Sequence, residues 1–175
     1  VKRAVLPLIA AILIAGSVTA TFGYRGGEFL TESEIDAIRR NQKIDPRVKL
    51  YLRAALLRLT SARARMTGQE TLPGDPLEYF TPEDMLDGYY KILNSVMFNI
   101  EDASRKIPPD RGGVRKALKH LESQMKKAVP ELESMEKMAV DKNEPEMTRL
   151  IQRAIEISKG ALEGAEQALA DKFSE

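Results

Sequence analysis

Between Thr81 and Lys106 the apolar residues Leu86, Tyr89, Leu93, Val96, Ile100 and Ala103 recur at alternating intervals of three and four. On an α-helix that interval draws one narrow oily seam, which a helix cannot bury by itself. Partner helices with the same pattern are therefore required, and the chain supplies them on both sides. Val48, Leu52, Ala55, Leu56, Leu59 and Ala62 precede the central seam; Val114, Leu118, Leu121, Met125, Ala128, Leu132 and Met135 follow it. Met147, Leu150, Ala154, Ile157, Ala161, Gly164 and Ala168 continue the stripe, flanked by Ile151, Ile155, Leu162, Ala165 and Leu169. Gly160, Ala161, Gly164 and Ala165 leave that last face almost flat, so the tightest helix contact of the fold is expected there.

The boundaries of these helices are written in the polar residues between them. Thr31 and Glu34 form a capping box that opens a short helix to about Asn41, with Ile35 and Ile38 inward. Asp45-Pro46 reads as the cap and first turn of the next helix, which runs to about Met66 and stops at Gly68. Pro73-Gly74-Asp75-Pro76 admits neither helix nor strand, so a loop of about a dozen residues follows, with Leu77, Tyr79 and Phe80 expected to pack across the end of the helices. Thr81-Pro82-Glu83-Asp84 starts the central helix and Pro108-Pro109 stops it. Pro130 should kink the following helix or split it in two. Asn143 is expected to cap the last helix, with Pro145 in its first turn.

These elements predict an all-α fold: a single domain over residues 31–175, built as an antiparallel four-helix bundle with a short extra N-terminal helix. Two stacked helical hairpins are the competing arrangement, and no internal sequence repeat speaks for it. The interior is expected to hold only hydrocarbon and thioether groups.

Ahead of the domain, residues 1–20 carry the three parts of a secretory signal peptide: Lys2 and Arg3, an apolar run from Ala4 to Gly16, and the small-residue ending Val18-Thr19-Ala20. Cleavage after Ala20 is expected, and an uncleaved membrane anchor is the alternative. Residues 21–30 read as a flexible spacer. The expected location is the periplasm or cell envelope, with membrane contact only through the N-terminal segment if it is retained.

Composition narrows the chemistry further. Apolar residues make up 43% of the chain and charged residues 30%, with a net charge of +1, so no bulk electrostatic attraction to nucleic acid is present. Cysteine is absent, which removes disulfides, thiolate metal sites and covalent haem attachment.

The segment Ile35-Asp36-Ala37-Ile38-Arg39-Arg40-Asn41-Gln42, the segment Asp45-Pro46-Arg47-Val48-Lys49-Leu50-Tyr51-Leu52 and the later Leu86-Asp87-Gly88-Tyr89-Tyr90-Lys91-Ile92-Leu93 resemble a group of uncharacterised exported helical proteins of bacteria. The resemblance implies a leader and a helical fold, and no activity or site residues.

Candidate chemistry is sparse. His120 is the single histidine, so no paired-histidine metal site can exist, and it lies off the centre of its seam beside Leu118 and Leu121. It could ligate haem opposite a methionine; the expected reading is a partly exposed surface group. Met135 and Met138 could hold copper(I) through their thioethers, but at helical spacing they are expected to fill the core. Paired Glu-x-x-His elements for a di-iron bundle are missing, because Ala117 stands three before His120. The adjacent pairs Glu83-Asp84 and Glu101-Asp102 diverge by about 100° on a helix and read as surface or capping groups.

The helix from Arg47 to Arg65 is strongly basic through Arg47, Lys49, Arg53, Arg58, Arg63 and Arg65. It could bind anionic lipid or cell-wall polymer, but the expected reading is a solvated face neutralised by the acidic loop after it. No catalytic, cofactor-binding or metal-binding residue is assigned, and no cofactor. The expected function is that of an exported non-enzymatic binding or structural module, acting on an unknown protein or envelope component and not on nucleic acid. A small carrier of b-type haem or copper is the alternative.

Overall fold

Thr31 begins the first helix of the described residues through the box its sequence predicts. Its hydroxyl accepts from the Glu34 N–H at 3.3 Å, and the Glu34 carboxylate accepts from the Thr31 N–H at 2.7 Å. Helix α1 spans Glu32–Arg40 and turns Ile38 inward. A computed structural model describes the protein over residues 29–108 and 110–173. Residues 1–20, expected to be a signal peptide, and most of the expected spacer 21–30 lie outside those residues. Among the described residues the fold is all-α, with α1 followed by α2 (Ile44–Met66), α3 (Pro82–Arg105), α4 (Arg111–Asp141) and α5 (Pro145–Phe173).

The central seam behaves as its spacing requires. Leu86, Tyr89, Leu93, Val96, Ile100 and Ala103 of α3 are all buried, and so is the full stripe of α4 from Val114 to Met135. On α5 the buried line is rotated from the expected one. It passes through Met147, Ile151, Ala154, Ser158, Ala161 and Ala165, leaving Leu150 and Ile157 partly exposed.

Helix ends differ from expectation in three places, each for a local reason. Asp45 does not cap α2, because the helix begins one residue earlier at Ile44 with Lys43 before it; the Asp45 carboxylate instead accepts from Lys49 Nζ at 3.0 Å. Asn143 does not cap α5. It sits at φ 56° just past the end of α4, where the Asn143 N–H donates to Val140 O at 2.9 Å and the Glu144 N–H to Ala139 O at 3.0 Å. That pair of bonds is a left-handed helix stop, the same device Gly68 provides after α2 with φ 82°. Pro130 does not split α4, which continues through it for 31 residues with the proline ring exposed to solvent.

The long loop after α2 packs only in part. Leu77 is fully buried and Phe80 partly so, but Tyr79 is 84% exposed. The Arg65 guanidinium holds the loop by donating to the carbonyls of Leu77 and Glu78.

The four long helices associate as two hairpins. Helix α2 packs closely on α3 and α4 on α5, then α2 lies beside α4 and α3 beside α5, while the consecutive helices α3 and α4 touch only lightly. Lys126 with Glu166, Lys159 with Glu133 and Gln152 with Glu136 lace α4 to α5 in antiparallel register. His120 near Asp45, Arg63 with Glu131, and Lys142 donating to Met66 O show that α2 and α4 run in the same direction. Among the described residues no helix is long and apolar enough to cross a membrane.

Candidate functional site

Two polar clusters sit inside the apolar core. Arg58 on α2 is fully buried, and its guanidinium reaches α1 in a two-pronged pair with Glu34, at 2.9 Å to Oε1 and 2.8 Å to Oε2. One of its nitrogens also donates to Ala54 O at 2.9 Å, while Nε has no hydrogen-bond partner. Room for the side chain comes from Gly88 on α3: a Cβ there would lie 3.2 Å from Arg58 Cδ and 3.4 Å from Nε. Burial raises the Glu34 pKa, but the hydrogen bonds from Arg58 and the Thr31 N–H outweigh it and bring the group below its ordinary 4.5.

The second cluster joins α3, α4 and α5. Ser158 Oγ donates to Ala154 O at 2.7 Å and stands 2.7 Å from the Tyr89 hydroxyl, which lies 3.8 Å from Met125 Sδ. With the serine proton committed to Ala154, the tyrosine is the donor between them. Burial pushes the Tyr89 phenol up to about 12. The interior is thus not solely hydrocarbon and thioether as the sequence suggests. Ser158 and Arg58 were hidden because a polar letter breaks an apolar pattern, although Ile151, Ala154, Ser158, Ala161 and Ala165 keep the seam spacing.

Nearer the surface, Arg153 stacks 3.6 Å from the centroid of the Tyr90 ring and lies 3.4 Å from Asp87. This clamp and the Tyr89–Ser158 bond tie the first halves of α3 and α5 together. Beyond them α5 presents only the small residues Gly160, Ala161, Gly164, Ala165 and Ala168 toward α3 and α4. The result is a half-open groove of about 660 Å³. Met97, Ile100, Glu101 and Ser104 of α3 form its other wall, and Arg111, Val114, Leu118 and Leu121 of α4 its floor. Gly160 and Gly164 take no part in the expected close helix contact, since a Cβ at either would meet nothing within 4 Å, whereas Ala161 and Ala165 beside them are buried. Small residues permit close approach but do not by themselves bring a neighbour near.

The remaining sequence candidates do not converge on this groove. His120 is partly exposed on α4, its Nε2 3.7 Å from Asp45 Oδ1 on α2. Met135 is buried in the core and Met138 partly so, as expected of fillers. Among the described residues no cluster of histidine and carboxylates is placed to hold a metal ion.

The basic helix uses most of its charges internally. Arg47 donates to Asn41 O and Gln42, Arg58 pairs with Glu34, Arg63 with Glu131, and Arg65 binds loop carbonyls. The acidic loop does not neutralise that helix through its carboxylates, contrary to expectation; the partners come from α1, α4 and the backbone. Asp84 caps α3 with Thr81, whereas Glu101 and Asp102 pair along the surface with Arg105 and Lys106. No family model, curated protein or solved structure matches the chain.

Proposed function

We propose that this chain is an exported, non-enzymatic binding module of the cell envelope, built as an antiparallel four-helix bundle with the short helix α1 at its side. The observation that carries this reading is the groove between α3, α4 and α5. It is an apolar cleft inside the range of about 300–1,000 Å³ typical of small-ligand sites, with few polar groups on its rim. The buried polar groups support the non-enzymatic part. Arg58, Glu34, Tyr89 and Ser158 are engaged in bonds between helices and none of them lines the groove, while the hydroxyl that does line it, Ser104, donates to the Glu101 carbonyl at 2.7 Å.

Export is supported by the leader pattern of residues 1–20 and by the resemblance to exported helical proteins. The reading is tested by fractionating cells that express the full chain and weighing the purified protein. An envelope or periplasmic protein beginning at Thr21 agrees with it, and an intact chain in the cytoplasm contradicts it. An envelope component retained by the wild type and lost when the groove is filled by Gly164→Leu supports the binding role.

A further inference from the structure

We infer that α1 is an exchangeable arm: the seat it occupies accepts α1 of a second copy of this chain, giving a two-fold dimer in which each Glu34 pairs with the other copy's Arg58. The arm stands apart from the core. Ile38 is the one buried residue of α1, it lies outside the apolar core that the four long helices share, and among the helices α1 packs against α2 alone. The joint is nonetheless specific, because a fully buried guanidinium takes both oxygens of one carboxylate and pairs with no other acid among the described residues. A buried pair of this kind gains little net stability over apolar packing, but it rejects any arm that lacks the carboxylate. The seat is also under-filled. A gap of about 240 Å³ remains between Thr31, Ser33 and Ala37 on one side and Leu50, Arg53 and Leu57 of α2 on the other, so the charge pair holds the arm more than close packing does.

The hinge completes the case. Residues 41–43 join α1 to α2, with Asn41 and Lys43 in extended conformation, and Arg47 pins them by donating from Nε to Asn41 O at 2.9 Å and from Nη2 to Gln42 Oε1 at 3.0 Å. Because arm and seat make the same contacts within a copy and between copies, only these hinge bonds and the cost of association separate the two forms. Pro46 keeps the arm from fusing with α2 into one rod, since its ring would meet the Gln42 carbonyl. A re-aimed hinge of three residues reaches about 10 Å, which places the two α2 N-termini side by side at the two-fold axis. In dilute wild type the closed chain predominates, because the arm meets its own seat at an effective concentration on the order of millimolar.

The test separates arm from seat on two full-length chains and involves neither the groove nor the cellular location. Glu34→Arg keeps Arg58 and repels its own arm; Arg58→Met keeps the Glu34 arm and removes its partner. Each alone should sediment as a monomer. Their mixture should form a 1:1 complex, seen by analytical ultracentrifugation and native mass spectrometry, with a dissociation constant at least about tenfold below that of either chain with itself, the margin of one charge-assisted pair. Glu34→Gln/Arg58→Met, whose arm has lost its carboxylate, should not associate with Glu34→Arg. No complex between two chains of intact helical spectrum overturns the inference, and so does a complex that persists in that control. Poly-glutamate that displaces Arg58→Met at equal carboxylate concentration overturns the choice of a second copy as the occupant. If either variant loses its helical spectrum, Arg47→Gln in the otherwise native chain carries the test. Freeing the hinge penalises only the closed form and should lower the dimer dissociation constant at least about tenfold, whereas an unchanged constant overturns the inference.

Discussion

Glu34 does two jobs with one carboxylate: it closes the α1 capping box and neutralises a fully buried arginine. Glu34→Gln leaves Arg58 charged in the core without a counter-charge, so it should cost about 3 kcal/mol, measured by denaturant unfolding. Restoring neutrality with Glu34→Gln/Arg58→Met should recover most of that loss, because an apolar side chain of similar length needs no partner. The same pair sets an acid limit. Because the folded carboxyl titrates below its unfolded value, its stabilisation is fully present above about pH 4.5 and disappears as pH falls through the lower folded pKa. Hydrogen exchange at Ile35 and Ile38 should show α1 detaching in that window in the wild type, and little pH dependence in Glu34→Gln.

Tyr89 sets the opposite limit. With its phenol raised to about 12, folding stability is constant below the unfolded value near 10 and falls as pH rises beyond it. Ser158→Ala strands a buried hydroxyl and should cost about 1–3 kcal/mol, whereas Tyr89→Phe/Ser158→Ala should be milder than the two single changes summed, a non-additivity a double-mutant cycle will report.

At the scale of whole elements, the chain's hydrophobic spacing was a reliable guide and its punctuation less so. The seams of α3 and α4 were readable residue by residue because every position on them is apolar. The seam of α5 was misread by one position at Ile157, since Ser158 looks like surface until Tyr89 is seen beside it. Asn143 was read for its acceptor side chain, yet it serves through its tolerance of the left-handed region. Asn143→Gly should therefore hold stability, while Asn143→Ala should lose about 1 kcal/mol in thermal unfolding. Pro130 interrupts neither α4 nor its buried face; it costs the helix a donor on the solvent side. Pro130→Ala should stabilise the protein by up to about 3 kcal/mol, with the buried residues Ala128 and Leu132 undisturbed.

For the molecule as a whole, the all-α class was legible and the site was not. Periodicity reports which face of a helix is oily, and says nothing of how far apart two oily faces are held. The groove arises from that second quantity. Tyr89–Ser158 and Arg153 over Tyr90 pin α3 to α5 at one level, and farther along α5 only small residues face the groove. Distances of this kind come from side chains on three helices at once, which no single stretch of sequence displays.

A built site and a packing gap differ in what the purified protein retains. The most direct measurement is native mass spectrometry of wild type and Gly164→Leu, each purified from its cells without detergent. A wild-type mass exceeding that of the chain by one bound ligand, together with a bare Gly164→Leu, is the predicted result. Bare chains in both, with Gly164→Leu simply more stable, would contradict the account.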